Sequence, residues 1–333
     1  MPLANIHQTD ASEMCELVSI IIPAFNAGKY LDESVESVLS QSHTNLECII
    51  VDDGSTDNTH TVAARLTKKD PRVRYKFKTN GGAASARNTG VRYAKGEWVF
   101  LLDADDWMHE DTIKIQLQHA INSGNRKKTV IYSDFEVVWQ DSKGNILKTY
   151  RNMLQQMTKP QLLKRIMSYE DGPTMPLSPI NTLLSKDIFS SNSYDESFGA
   201  WEEINFFIDI LLMTDSSFIY APTVASVYRI HGSNSTKNKQ RMFENYVKFL
   251  MTTNEKDRSL LRYCVTIGPL IKKSVLEKNR NNFNQLVKLV KKTDVPVYLK
   301  KGGLNLNSPI LWKFLYILRS LIPARSIFSY YKK

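Results

Sequence analysis

Three short apolar runs, each broken off by polar residues, constrain this chain more than any other feature. Leu17–Pro23 (LVSIIIP) ends at a proline, and Cys48–Val51 (CIIV) runs into Asp52, Asp53, Gly54 and Ser55. Trp98–Leu102 (WVFLL) runs into Asp103, Ala104, Asp105 and Asp106. Runs this short and this apolar suit strands buried on both faces. Between the first two, Leu31, Val35, Val38 and Leu39 recur at i, i+4, i+7 and i+8, the stripe of a helix lying on a sheet. A second helix is expected from Ser55 or Asp57 to about Lys69, a strand over Val73–Phe77 and a further helix over Ala83–Ala94. Strands and helices in close alternation predict an α/β domain with a largely parallel sheet covered on both sides. Ligands of such sheets bind beyond the carboxyl ends of the strands, and the polar clusters fall there.

Beyond residue 110 the pattern loosens. Thr129–Val138 and the segment after the Asp141–Gly144 turn read as strands, Trp201–Leu212 as a helix and Phe218–Ile230 as extended. Pro173, Pro176 and Pro179 mark a loop before Asn181–Leu184, and the last third reads as amphipathic helices with basic faces.

The acidic clusters carry the chemistry. Asp103, Asp105 and Asp106 lie within four residues, and carboxylates so close repel unless a cation or solvent relieves them. At a strand end facing a ligand crevice they suit Mg²⁺ or Mn²⁺ shared with phosphate oxygens; the alternative is a solvated loop capping the next helix. In the Asp52-Asp53-Gly54-Ser55 cluster one carboxylate can accept hydrogen bonds from a base or ribose while the other is local, or the whole is a capped turn.

Together these segments resemble the family-2 glycosyltransferases of the GT-A fold. The matching residues are Ser19–Asn26 (SIIIPAFN), Ser37–Gln41 (SVLSQ), Ile50–Asp57 (IVDDGSTD), Gly81–Asn88 (GGAASARN) and Phe100–Asp106 (FLLDADD), in order and spacing over about residues 17–110. The resemblance implies a GT-A-type, Rossmann-like, mostly parallel sheet flanked by helices, with a C-terminal helical extension. It implies that Pro23 and Phe25 line a nucleoside site, that Asp53 reads the base and that Arg87 flanks the nucleotide. Asp103 and Asp105 then correspond to the DxD pair that contacts ribose, metal and diphosphate, with Asp106 as an alternate ligand. The cofactor implied is a divalent metal, Mn²⁺ or Mg²⁺, and the donor a nucleotide-sugar, UDP-linked by expectation.

The family's general base is an aspartate at a helix start. Ala200–Phe207 (AWEEINFF) matches that segment with Glu203 at the aspartate position. The extra methylene shifts the carboxylate by about 1.5 Å on standard bond lengths, so either the acceptor sits differently or Glu202 shares the role; an acidic first turn is also what a helix dipole favours. In Tyr228–Thr236 (YRIHGSNST), His231 matches a position that some relatives place on the metal or diphosphate, with loop 232–240 folding over the donor. Pro179–Leu183 falls where relatives shape the acceptor site, which makes Asn181 a candidate acceptor contact.

Charge is unevenly spread. Residues 237–333 hold 21 Lys and Arg against 5 Asp and Glu, a balance of +16, whereas residues 1–236 balance at −6. The expected domains are an extension at 1–16, a glycosyltransferase domain at 17–236 (nucleotide-binding half 17–110, acceptor half 111–236) and a basic helical region at 237–333. Ser308-Pro309 starts a segment, Ile310–Ile322, whose aromatics and snorkelling Lys313 and Arg319 suit a membrane interface. The alternative is a terminal helix packed on the core. Cys15, Cys48 and Cys264 are far apart, so no disulfide or zinc framework is expected. The sequence reads as cytoplasmic, peripheral at the inner face of the cell membrane, with a glycan or lipid-linked acceptor from surface polysaccharide or lipopolysaccharide synthesis. No nucleic-acid partner is expected, and no motif specifies an oligomeric state. The paired basic-aromatic signature and spanning helices of processive synthases are missing, which favours addition of a single sugar; inversion is what the family resemblance implies. Two rivals are a catalytically silent nucleotide-sugar-binding scaffold and a nucleotidyltransferase; the latter would carry a Gly-rich basic loop where this chain has Pro23-Ala24-Phe25-Asn26. Deleting residues 305–333 is expected to abolish co-sedimentation with anionic vesicles, measured against the full chain at one ionic strength; undiminished sedimentation removes the membrane assignment.

Overall fold

The computed structural model describes residues 16–167, 175–232, 234 and 245. The chain divides into two compact units, one of Met1–Leu162 with Pro173–Lys237, the other of Leu163–Gly172 with Asn238–Lys333. The helices expected in the basic region 237–333, the interfacial segment expected after Ser308 and most of loop 232–240 lie outside the described residues. Among the described residues no helix is long and apolar enough to cross a membrane.

The first unit begins with the alternation expected. Strands β1 (Val18–Ala24), β2 (Leu46–Asp52), β3 (Val73–Phe77) and β4 (Trp98–Leu101) alternate with helices α1 (Leu31–Leu39), α2 (Thr59–Lys69) and α3 (Ala83–Tyr93). All four strands are mutually parallel, β1 lying between β2 and β4. The apolar runs are uninterrupted because helices cover both faces: Ile20, Ile21 and Ile22 are consecutive and all inaccessible to solvent. Leu31, Val35 and Val38 of α1 are equally buried, as their spacing requires.

After β4 the chain forms a mixed sheet. Short β5 (Trp107–Met108) leads into α4 (Thr112–Asn122), followed by β6 (Thr129–Gln140) and β7 (Ile146–Asn152). Then come α5 (Lys159–Met167), β8 (Thr182–Ser185), α6 (Glu202–Leu212) and β9 (Ser217–Ile230). The strand order is β3-β2-β1-β4-β8-β6-β9-β5, with β7 paired to β6. The β6–β9 pair is parallel; β4–β8, β6–β8, β6–β7 and β5–β9 are antiparallel. This order carries the acidic loop after β4 and the end of β9 toward each other, because β5 continues from that loop and pairs with β9 at Trp107–Val227.

Helix α2 begins at Thr59, later than Ser55 or Asp57. The residues that look like caps are used as ties: the Ser55 amide donates to Asp52 (2.8 Å), while Asp57 accepts the amides of Thr59 (2.9 Å) and Gly28 (3.0 Å). Where α3 crosses β1, Gly90 sets the spacing, since a Cβ there would lie 2.2 Å from Ile21 Cγ2. Gly90→Ala is therefore expected to destabilise the fold by about 1–3 kcal/mol through overpacking, read by urea unfolding. Combined with Ile21→Ala, the loss should fall short of the sum of the two single losses; strict additivity would contradict the contact.

Candidate active site

The carboxyl ends of β1, β2 and β4 frame the site. After β1, Asn26 takes a left-handed backbone conformation (φ 51°), and its side-chain oxygen accepts the amides of Thr56 (2.8 Å) and Asp57 (3.3 Å). In return the Asn26 amide donates to Ser55 Oγ (2.9 Å) and the Ala27 amide to Thr59 Oγ1 (2.9 Å). The loops after β1 and β2 are thus laced together by side chains about thirty residues apart in sequence. Pro23 lies in β1 opposite Val51, and Phe25 stands 54% exposed at the strand end, an apolar surface on which a base can stack.

Asp52 and Asp53 divide their work. Asp52 is buried and local, accepting the Ser55 amide and the Tyr75 hydroxyl (2.8 Å). Asp53, the residue matched to base reading, is also buried. Its carboxylate takes Lys78 Nζ (2.6 Å) and the amides of Gly81 (2.9 Å) and Gly82 (2.7 Å). Those donors occupy nearly all of its lone-pair directions, so contact with a base would require one of them, most simply the Lys78 ammonium, to give way. Gly54 permits this close arrangement: its φ is +77°, and a Cβ would meet the Asn80 amide at 2.9 Å.

Arg87 joins the two halves of the site. Buried on α3, it donates from Nη2 to Asp103 (2.8 Å) and from Nη1 to Glu202 (2.9 Å), with Glu203 4.0 Å from Nη1. Its guanidinium lies 5.5 Å from the ring of buried Tyr194, which stacks on Phe206 of α6 at 4.2 Å. Asn88 fastens the same loop, donating to the Tyr194 carbonyl and accepting the Tyr194 amide, both at 2.9 Å. Of the two candidate bases, Glu202 is 8% exposed and committed to Arg87, whereas Glu203 is 39% exposed. Desolvation and the facing Glu202 carboxylate, partly offset by Arg87, push Glu203 up to about 8. Trp201 precedes them with φ 72°, a left-handed geometry that is rare for so bulky a residue.

The acidic loop meets the end of β9. His231 Nε2 lies 2.9 Å from Asp105 Oδ2, and the Asn234 amide group reaches the same oxygen at 3.3 Å. Asp105 and His231 are thereby brought together, with Asp103 near Asp105 in the same acidic loop. Asp106 is a correction: it is fully buried, and its Oδ1 accepts the Arg229 amide at 2.8 Å. Burial and the nearby Asp105 and Asp103 raise it well above the ordinary carboxylate range. It anchors β9 instead of extending the ligand rim. Asn181 is a second correction. It is wholly buried, with its oxygen on the Ser178 amide (2.8 Å) and its nitrogen on the Ser133 carbonyl (2.8 Å), so it shapes the turn before β8 and cannot touch an acceptor.

Whether these residues suit a divalent cation can be judged from the donor set. Among the described residues no three His, Cys, Asp or Glu side chains converge into a closed cage. Asp105 and His231 offer one hard oxygen and one borderline nitrogen, a pair that suits an ion completing its shell with phosphate and water. Carboxylates also outnumber guanidiniums here: Asp103, Asp105, Asp106, Glu202 and Glu203 surround Arg87 and Arg229. The residues fit. Arg229, Tyr194 and Lys78 were not apparent as site residues from sequence; Arg229 directly precedes Ile230-His231 in a quoted motif, which was its only signal.

Comparison with known proteins shows what this chain is similar to. The family described as "Glycosyl transferase family 2" matches residues 19–189. An uncharacterized glycosyltransferase of Rickettsia bellii is 32% identical over 221 residues, which cover 64% of this chain and 31% of that protein. Glycosyltransferase GlyG of Streptococcus pneumoniae is 45% identical over 108 residues, 32% of this chain and 36% of GlyG. The chain thus spans about a third of the length of these curated relatives. S. aureus TarS 1-349, solved in complex with UDP-GlcNAc, superposes with a TM-score of 0.63 at 16% identity, covering 84% of this chain and 83% of that one. That likeness is one of fold, and it agrees with the α/β, GT-A-type architecture expected from the sequence.

Replacing Arg87 leaves Glu202 buried without its counter-charge. Arg87→Gln is expected to cost about 3–5 kcal/mol in urea unfolding, and Glu202→Gln in the same chain should recover a measurable part. A double variant no more stable than Arg87→Gln alone would show that the pair carries little of the coupling.

Proposed function

The chain belongs to glycosyltransferase family 2, and on that footing we propose that it transfers one sugar from a UDP-sugar to an acceptor hydroxyl with inversion. The observation that carries the reading is Arg87, which holds Asp103 of the donor rim and Glu202 of the base segment in a single charge cluster. A uridine donor is supported by the fold shared with TarS, itself solved with UDP-GlcNAc. Phe25 offers a stacking surface for the base, and Asp53 reads it once Lys78 yields.

Glu203 is the general base. It is the more exposed of the two glutamates and the one not bonded directly to Arg87, so it can reach an acceptor hydroxyl. It takes the proton as the oxygen attacks the anomeric carbon, and UDP departs from the opposite face. Glu202 is bound to Arg87, and after desolvation its facing carboxylate is the next cause that raises Glu203. Arg87 offsets charge on the Asp103 side of the donor and fixes that carboxylate in place. Asp105 and His231, with Asp103 beside them, would hold a divalent cation, Mn²⁺ or Mg²⁺; bound there, the ion supplies Lewis-acid stabilisation of the leaving diphosphate. The acceptor we propose is a surface polysaccharide or lipopolysaccharide precursor, presented as a glycan or on a lipid carrier. The basic region 237–333 draws the protein to the anionic inner leaflet.

The reading is tested by following nucleotide release over a panel of UDP-sugars, with and without Mn²⁺, and then establishing product stereochemistry; a retained anomeric configuration rejects the single displacement. The base must be deprotonated to act, so kcat/KM should rise with pH up to about 8 and level off above it. Glu203→Gln should lower kcat by about 10²–10⁴-fold and remove that limb. An unaltered pH profile in Glu203→Gln would shift the role to Glu202.

A further inference from the structure

Arg229 is the most heavily committed side chain at the rim, and the mechanism above does not use it. It is buried at the end of β9, two residues before His231. Its amide holds Asp106 Oδ1 (2.8 Å) and its Nε holds the Asp105 carbonyl (2.7 Å). Nη1 donates to Gln140 at the end of β6 (3.0 Å), and Nη2 to Glu33 on α1. The guanidinium carbon lies 5.0 Å from the Tyr30 ring centroid and 4.5 Å from that of Trp107, so the planar cation is in contact with both aromatics. Tyr30 also packs on the His231 ring at 4.6 Å. The Asn234 side chain closes the circuit, donating to the Arg229 carbonyl (3.1 Å) and to Asp105 Oδ2 (3.3 Å).

We infer that Arg229 is a positioning residue that fixes Asp105 and His231 in the arrangement the diphosphate end of the donor site needs, an inference that rests on the donor reading above. An arginine that only balanced Glu33 would need neither the Asp105 carbonyl nor the Gln140 oxygen. Here the fork sets the height of the residue-105 backbone, while the same residue's own amide and carbonyl set the strand end that carries His231. Its aromatic neighbours restrict the guanidinium plane, so the Nε bond to residue 105 is held in direction as well as distance. Lysine keeps the charge, but its ammonium cannot reproduce the planar fork that reaches the Asp105 carbonyl, Gln140 and Glu33.

The test is calorimetric titration of UDP into the full chain with and without Mn²⁺, for the wild type, Arg229→Lys and Glu33→Gln. Arg229→Lys is expected to keep the Mn²⁺-free affinity and to lose about 10–100-fold of the enhancement Mn²⁺ gives; Glu33→Gln should lose a smaller part. Full enhancement in Arg229→Lys overturns the inference, and so does an equal loss with and without Mn²⁺, which marks a general structural role. Should Arg229→Lys fail to fold by circular dichroism, Glu33→Gln decides, and undiminished enhancement there overturns it. A wild type whose UDP affinity ignores Mn²⁺ overturns the donor reading and this inference together, and does so before any substitution is compared.

Discussion

A guanidinium buried between two carboxylates is the interaction on which the rest of this structure turns. Arg87 is 3% exposed, yet it carries a full charge that desolvation makes expensive. The cost is met because Asp103 and Glu202, from segments 16 and 115 residues away in sequence, both accept from it. Electrostatics therefore couples two structural decisions: where the loop after β4 lies, and where α6 begins. Both carboxylates share the one guanidinium, so the loop after β4 and the start of α6 fold as one assembly.

Charge also explains why the remaining acids behave differently from one another. Glu203 shares the cluster but lacks the direct bond that Glu202 makes, so desolvation and then repulsion by Glu202 raise it. Asp106 has lost contact with solvent altogether and works through one backbone hydrogen bond. Asp105 stays partly exposed, and His231 meets it from the strand end. Four residues that look equivalent in sequence as acids thus separate by their surroundings: Glu203 with a raised carboxyl, Asp106 wholly buried on the Arg229 amide, Asp105 partly exposed against His231, and Glu202 bound to Arg87.

Much of this was legible in the sequence, for physical reasons that can be named. β1, β2 and β4 announce themselves because strands covered on both faces must be apolar throughout, and the acids after them because the loops open into the crevice. Glu203 and His231 are singled out in the sequence by motif position alone. Helix α4 was overlooked although Ile113, Leu117, Ala120 and Ile121 form a buried stripe; the polar residues between them obscured the period. β5 is two residues long, too short to carry any alternation. Asn181 misled because an amide in a proline-rich loop looks available, while its side chain is spent on backbone groups: those of Ser178 and Pro176 within the loop and of Ser133 on β6. Arg229 could not be foreseen, since its partners Glu33, Asp105 and Gln140 come from three separate stretches of chain.

The lacing of the loops after β1 and β2 has its own consequence. The amides of Asn26, Ala27 and Gly28 belong to no helix or strand, yet each is held by a side chain of Ser55, Thr59 or Asp57. Irregular backbone of this kind usually exchanges its hydrogens with solvent quickly; here it should exchange at the pace of the sheet beneath it. A ligand settling against Phe25 then meets a floor that is already ordered, and little conformational entropy is lost in shaping the pocket around it. Selectivity for the base proposed to stack on Phe25 would then rest on rigid shape, since each of these loop amides is already held by a side chain.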